Sequence, residues 1–383
     1  MRIIHAIAHL AKDTGGTARC VPALSDQLVA LGHQVHLVTQ VQPGVPQFLP
    51  ADHRVDLQPV WAASGLQRIA AFYDRLAHLG NHHPDVAIAH DHGVWLPNNH
   101  AMALFARELG LPRVVSVHGM LDRWSLNQGR AKKRLAWLGY QGGDFRRAAL
   151  LHATAEQELR DIRRLGLTNP VAVIPNGIDF PPAPLPAQAR PAGPRRALFL
   201  SRLHPKKGVL DLVRAWARLD PAGWELLITG PDEGGYRHVV EQEISRLQAG
   251  SGIRCTGPVD DADKWALYAS AQLFLLPTYS ENFGLVVAEA LACGVPVITT
   301  RGAPWQGLET HGCGWWTDIG EAPLTQALGL ALATDGAELG AMGARGREWV
   351  LRDFGWPGVA EAFSRAYLWL AGQGPLPSEV TRD

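Results

Sequence analysis

Residues 177–196 read "GIDFPPAPLPAQARPAGPRR", a proline-rich run with no apolar period of two or of 3.6 residues. Such a run suits neither helix nor strand and predicts an exposed interdomain linker over 181–196. Before it, short β-branched segments near 2–8, 34–39, 85–90, 113–118, 149–154 and 171–174 alternate with helical stretches such as "CVPALSDQLVALG" and "NHAMALFARELG". After it the alternation restarts, with strands in "ALFLSRL", "WELLITG", "IRCTGPV", "AQLFLLPT" and "VPVITT" and helices in "VLDLVRAWARL" and "YRHVVEQEISRLQ". This is the βαβ rhythm of parallel, doubly wound sheets, once on each side of the prolines. The fold class is therefore α/β, with two Rossmann-like domains at 1–180 and 197–357 facing across a cleft. "GVAEAFSRAYLWLAG" carries an apolar stripe at Val359, Phe363, Tyr367 and Leu370, which predicts a last helix over 358–372 that packs back on the first domain.

The length of 383 residues agrees with two cores, because single cores stop growing at about 250–300 residues. Lys plus Arg equals Asp plus Glu at 36 each, which argues against a nucleic-acid binder held by net charge. The four cysteines, Cys20, Cys255, Cys293 and Cys313, lack CxxC spacing. Together with an amino terminus, "MRIIHAIAHL", that reads as a strand and not a leader, they predict a reducing, cytoplasmic location and no structural zinc. No apolar run approaches the length of a membrane span.

In "YSENFGLVVAEALACG", residues 279–294, Glu281 and Glu289 stand eight apart in an otherwise apolar stretch. A helix from about Gly284 surrounds Glu289 with apolar neighbours, and a buried carboxylate needs a partner or a ligand. The second domain opens with "SRLHPKKGVLDLVRAW", which puts Arg202, Lys206 and Lys207 at the carboxyl end of a strand, where ligands of open α/β sheets bind. Arg202 and Lys207 can converge on a diphosphate beside the amino-terminal amides of the Gly284 helix, neutralising it without a metal. Two acceptors flanking such a site suit a nucleotide sugar. In the first domain, Gly15 and Gly16 let helix amides approach an anion or a sugar, but the G-x-G-x-x-G of a dinucleotide binder is absent.

The spacing of Glu281 and Glu289, the basic pair Arg202 and Lys207, and "PNGID" at 175–179 together resemble family 4 retaining glycosyltransferases of the GT-B fold, of the kind that assembles surface polysaccharides. The likeness extends from the Gly-Gly turn to "GCGWW" at 312–316. It implies that Glu281 binds sugar hydroxyls, Glu289 the ribose, and Arg202 and Lys207 the diphosphate. Asn282, Phe283, Gly284, Leu285 and Gly16 complete the donor site, and His118 stands near the donor sugar. His90, His92, Trp95 and Asn98, in "AHDHGVWLPNN", resemble an acceptor-side wall.

The resemblance implies transfer of a hexose from a UDP- or GDP-sugar to a hydroxyl of a glycan or lipid-linked oligosaccharide, with no cofactor and no metal. A cluster of two histidines and an aspartate invites a metal reading. With His90 and His92 taken to face opposite sides of their strand and no further ligand set in view, none is expected. "DDAD" at 260–263 reads as a helix cap. A nucleotide-sugar epimerase, a phosphorylase and an inactive sugar-nucleotide-binding subunit share the two-domain pattern. Finally, 130–147 sets six basic residues among Leu135, Trp137, Leu138, Tyr140 and Phe145. It reads either as a packed helix with a solvated edge or as a peripheral membrane contact at the inner face of the cell membrane.

Overall fold

The computed structural model describes residues 1–12, 15–61, 66–181, 193–247 and 252–382. The chain divides into two compact units, Met1–Gly177 with Trp356–Asp383, and Ile178–Gly355. The first unit therefore ends three residues before the expected boundary, and the core of the expected linker, 182–192, lies outside the described residues.

The strands, in chain order, are β1 (Arg2–His9), β2 (Gln34–Gln40), β3 (Asp56–Val60), β4 (Val86–His92), β5 (Arg113–Ser116), β6 (Leu150–Ala153), β7 (Val171–Val173), β8 (Arg195–Leu200), β9 (Trp224–Thr229), β10 (Ile253–Cys255), β11 (Leu273–Leu276), β12 (Val297–Thr300), β13 (Gly314–Thr317) and β14 (Val380–Thr381). The first sheet runs β14-β7-β6-β5-β4-β1-β2-β3 and the second β10-β9-β8-β11-β12-β13. All pairs are parallel except β14 on β7. In each sheet the chain steps outward from its first strand, returns, and continues on the other side. The switch points lie between β1 and β4 and between β8 and β11, the positions where doubly wound sheets bind ligands.

Three strands escape the sequence pattern for physical reasons. β3, "DLQPV", is an edge strand carrying Pro59, tolerated there because an edge amide need not join the ladder. β13 is the opposite edge of the second sheet, and β14 is two residues long. β5 stops at Ser116, short of the expected 118, because His118 takes a left-handed φ of 47°.

The core of the second unit gathers Phe199, Leu212, Trp216, Tyr268, Phe274, Leu291 and Trp305 around its sheet. In the first unit one face of the sheet packs Ile4, Ala6, Val38 and Ala89 against Phe72, Leu76 and Phe105 of two helices. On the other face helix Trp356–Leu370 packs against helix Gly16–Ala30. Gly177 is glycine because the Trp356 ring occupies its side-chain space: a Cβ there would stand 2.2 Å from the indole. All four cysteines are free.

Candidate functional site

The loops leaving β8 and β11 carry most of the residues singled out in the second unit. Tyr279 N–H and the Thr278 hydroxyl both donate to the Lys206 carbonyl, at 2.8 and 3.0 Å, and tie the two loops together. The loop after β12 joins them, its Gly302 carbonyl accepting from Glu281 N–H at 2.7 Å. Such closeness needs Gly208: its φ is +69°, and a Cβ would stand 1.9 Å from the Pro277 carbonyl oxygen.

This knot brings the Lys207 ammonium against the Glu281 carboxylate, with only 10% and 13% of the two side chains exposed. Arg202 does not join them. Its guanidinium pairs with Glu233 at 2.7 Å, in the exposed loop after β9. The bases expected to converge are each held by a carboxylate, on strands that flank β8 from opposite sides. Glu233 carries no motif, and its pairing was not legible in the sequence.

Helix Leu285–Ala292 starts at Gly284, φ +81°, with no side chain capping its first amides. Those amides form an electropositive terminus beside the Lys207–Glu281 pair. Phe283 is a core anchor: it is 5% exposed, its ring packs on Trp305 and its carbonyl accepts from the Trp305 indole at 2.5 Å. Asn282 and Leu285 are partly exposed beside it.

Glu289 is buried, as its neighbours require, and the protein itself supplies its partners. Lys264 Nζ donates to one oxygen at 2.7 Å and the Tyr268 hydroxyl to the other at 3.0 Å. Of the two alternatives that burial leaves, partner or ligand, the partner is present, and a carboxylate with two donors keeps lone pairs for a third. The "DDAD" segment is not a side-chain cap. Asp263 occupies the position before helix Lys264–Ala269 without a capping hydrogen bond, and Asp261 lies 3.7 Å from Lys264.

At the first unit's switch point the acceptor-side wall is mostly interior. His90 and Asn98 are fully buried and His92 nearly so, so of the four only Trp95 reaches a sizeable cavity. That cavity, about 460 Å³, is lined by Trp95, Trp137, Arg123, Arg130, Lys133 and Arg134. Trp95 takes a left-handed φ of 73° and is pinned by its indole N–H donating to the Met120 carbonyl at 3.0 Å. Among the described residues neither amide atom of Asn98 has a hydrogen-bond partner. Gly16 begins helix Gly16–Ala30, which no side chain caps.

The geometric ground for dismissing a metal is also corrected. Residues two apart on a strand share a face, so His90 and His92 point the same way. With His5 of β1 they place three ring nitrogens within 4.8 Å of one another, a ligand type that zinc accepts. His5 and His152, in otherwise apolar strands, escaped notice, although a lone polar residue at an inward position of a strand was their signal. Burial pushes His5 and His118 down to about 3 and His152 to about 4, and holds His90 and His92 well below the ordinary imidazole range. Glu158 was also missed. It accepts from Thr154 N–H at 2.6 Å and from Gly119 N–H, so it fixes the turn that carries His118, and burial pushes its carboxyl up to about 7.

The stretch 130–147 forms helix Arg130–Ala136, a π turn at Trp137–Gln141 and helix Gly142–Arg146. Its inner side buries Gln141, Asp144 and Phe145, while Leu135 and Leu138 are 71% and 75% exposed beside exposed Arg130, Lys132 and Arg134. Among the described residues no helix is long and apolar enough to cross a membrane.

Comparison with known proteins gives the family and the fold. A family model described as Glycosyl transferases group 1 matches residues 185–346, and one described as Glycosyltransferase Family 4 matches 14–180. The chain is 28% identical to a glycogen synthase of Mycobacterium tuberculosis, over 92% of this chain and 91% of that one. Sucrose-phosphate synthase from Thermosynechococcus elongatus superposes with a TM-score of 0.75 at 22% identity, covering 97% of this chain and 99% of that one. The Anabaena HepE protein in complex with UDP also gives 0.75, at 19% identity, covering 96% and 99%. Matched by one family model on each half and sharing the GT-B fold of these structures, the chain belongs to glycosyltransferase family 4.

Proposed function

We propose that this glycosyltransferase moves a hexose from a UDP- or GDP-sugar to a hydroxyl of a glycan or lipid-linked oligosaccharide, with retention of configuration and without a metal. The observation that carries the donor reading is the Lys207–Glu281 pair at the β8/β11 switch point, beside the uncapped helix at Gly284. An arriving diphosphate takes the ammonium and the helix amides, and Glu281, released from Lys207, accepts from sugar hydroxyls. Arg202, on an exposed and exchangeable pair, swings to the same phosphates. The neighbour solved with UDP makes a nucleoside diphosphate the natural probe.

In the reaction the bond from the anomeric carbon to the phosphate oxygen breaks, and its electron pair leaves with the nucleoside diphosphate. The acceptor oxygen attacks from the same face and its proton passes to the departing phosphate. Lys207 and Arg202 stabilise charge that grows as the bond breaks, which is where fixed cations accelerate a reaction most. The acceptor reading rests on the first unit. The aromatic floor of Trp95 and Trp137 in a basic cavity suits a sugar carrying an anionic group, and exposed Leu135 and Leu138 among basic side chains suit a lipid surface. Calorimetric titration with UDP and GDP tests the donor half. Saturable binding of one of them, lost in Lys207→Ala, is expected; no binding of either overturns the reading.

A further inference from the structure

On the face of the first sheet under the closing helix Trp356–Leu370, the strands carry imidazoles and a hydroxyl where apolar side chains are the rule. His5 of β1 stands opposite His90 of β4, and His92, Ser116 and His152 stand opposite one another across β4, β5 and β6. The contacts run in sequence. His118 Nε2 meets His92 Nδ1 at 3.3 Å, His92 Nε2 meets His5 Nδ1 at 3.1 Å, and His5 Nε2 meets the Tyr367 hydroxyl at 3.5 Å. Tyr367 meets His90 Nδ1 at 2.5 Å, His90 Nε2 meets the Ser116 hydroxyl at 2.7 Å, and that hydroxyl meets His152 Nδ1 at 2.7 Å. The series ends with His152 Nε2 on the Ile174 carbonyl at 2.8 Å.

One end fixes all the rest. A carbonyl only accepts, so His152 carries its proton on Nε2 and leaves Nδ1 bare. Ser116 must donate to that bare nitrogen, which spends its single proton and makes His90 the donor to Ser116. His90 Nδ1 is then bare and takes the Tyr367 proton, so His5 must donate to the Tyr367 oxygen. By the same step His92 donates to His5, and His118 donates to His92. A neutral imidazole has one donor and one acceptor, and these buried rings are neutral, so no other assignment satisfies every contact. His118 is left with Nδ1 bare. That atom has no protein partner among the described residues, and the residue is only partly buried.

We propose that these residues form one hydrogen-bond chain with a single proton direction, through which Tyr367 of the closing helix acts as a positioning residue and presents His118 Nδ1 as a fixed acceptor for a ligand hydroxyl. A bare lone pair accepts from O–H or N–H groups and repels phosphate oxygens. That the hydroxyl belongs to a sugar rests on the transferase reading; the tautomers do not. The left-handed backbone of His118, held by Glu158 through Gly119, is the strained conformation that aims the ring.

The test is long-range ¹⁵N–¹H correlation spectroscopy on protein labelled with ¹⁵N-histidine, with metal content measured on the same sample. His5, His90, His92, His118 and His152 are all expected as neutral Nε2–H tautomers near pH 7.5. An Nδ1–H tautomer or an imidazolium at any of the five, or stoichiometric zinc bound to His5, His90 and His92, overturns the chain. Tyr367→Phe cuts it at one point. His90 and His152 keep their tautomers, held by Ser116 and Ile174, whereas His5, His92 and His118 become mixtures. Five unchanged rings in that variant would show that Tyr367 packs without positioning. If the variant fails to fold, the wild-type tautomers alone decide.

Discussion

Lys207 and Glu281 leave different strands on either side of the second sheet's switch point, yet their side chains close on one another as a largely buried ion pair. The pair spends the ammonium that a diphosphate would use. Glu281→Gln therefore frees Lys207 and should raise the affinity for nucleoside diphosphate by about fivefold, the worth of a partly exposed pair of about 1 kcal/mol. The same variant should lose turnover, because the sugar hydroxyls lose their acceptor. Lys207→Ala should lower turnover by roughly 10²–10³ if it acts like a fixed oxyanion donor. Calorimetry and steady-state rates separate the two variants, and a Glu281→Gln protein with weakened nucleotide affinity would contradict the exchange.

Glu289 is held by Lys264 and Tyr268 in the core of the second unit, so its removal leaves the buried ammonium facing the exposed Asp261 carboxylate, 3.7 Å away, in place of its close buried partner. Glu289→Ala should cost about 3–5 kcal/mol in denaturant unfolding, as breaking a buried pair does. Replacing Lys264 and Glu289 together by Met and Leu should recover much of that loss. A destabilisation below about 1 kcal/mol in the single variant would mean that the contact matters for ligand alone.

The fold was legible wherever strands are buried on both faces, because β-branched runs such as "VPVITT" have few other readings. The edges β3 and β13 were not, since an edge strand leaves one side of its ladder unpaired and here carries Pro59 or Gly314. Within the site, Arg202, Lys207 and Glu281 stood out because charges at strand ends are conspicuous. Their neighbours did not. Glu233, Lys264 and Tyr268 become partners only when separate loops and helices meet, and no local spacing announces that. His5, Ser116, His152 and Tyr367 lie far apart in the chain, and only the strand order makes them adjacent.

The buried imidazoles make stability depend on acidity with a definite sign. Their folded values are depressed below the unfolded value of about 6.5, so the stability they contribute is present above that pH and lost as pH falls toward their folded values. Glu158 acts oppositely: its folded value is raised to about 7, so its contribution is present below about pH 4.5 and lost as pH rises through 7. Asp91, likewise raised to about 7 by burial, acts as Glu158 does, so near pH 5.5 the five imidazoles less these two carboxyls leave the unfolded chain with about three more protons than the folded one, a slope of about 4 kcal/mol per pH unit. Urea midpoints measured between pH 7 and 5.5 should fall steeply. A flat profile would mean that the rings are hydrated and charged.

The exposed leucines of the 130–141 segment predict adsorption to anionic lipid. Basic groups at such a surface contribute about 1 kcal/mol each, so replacing Lys132 and Arg134, both exposed, by Gln should lower partitioning by roughly tenfold or more. Cosedimentation with phosphatidylserine vesicles at low and high salt measures it. An enzyme that stays in the supernatant at low salt points to a soluble acceptor.

The most direct test of the central claim follows the fate of the donor's anomeric bond. The protein is incubated with UDP- and GDP-α-hexoses and a hydroxyl-bearing glycan acceptor, in the presence of EDTA, and the product is read by proton NMR. An α-linked product, released with one equivalent of nucleoside diphosphate at a rate that EDTA leaves unchanged and Lys207→Ala lowers by roughly 10²–10³, is the predicted result. A β-linked product, or turnover undiminished in Lys207→Ala, would contradict it.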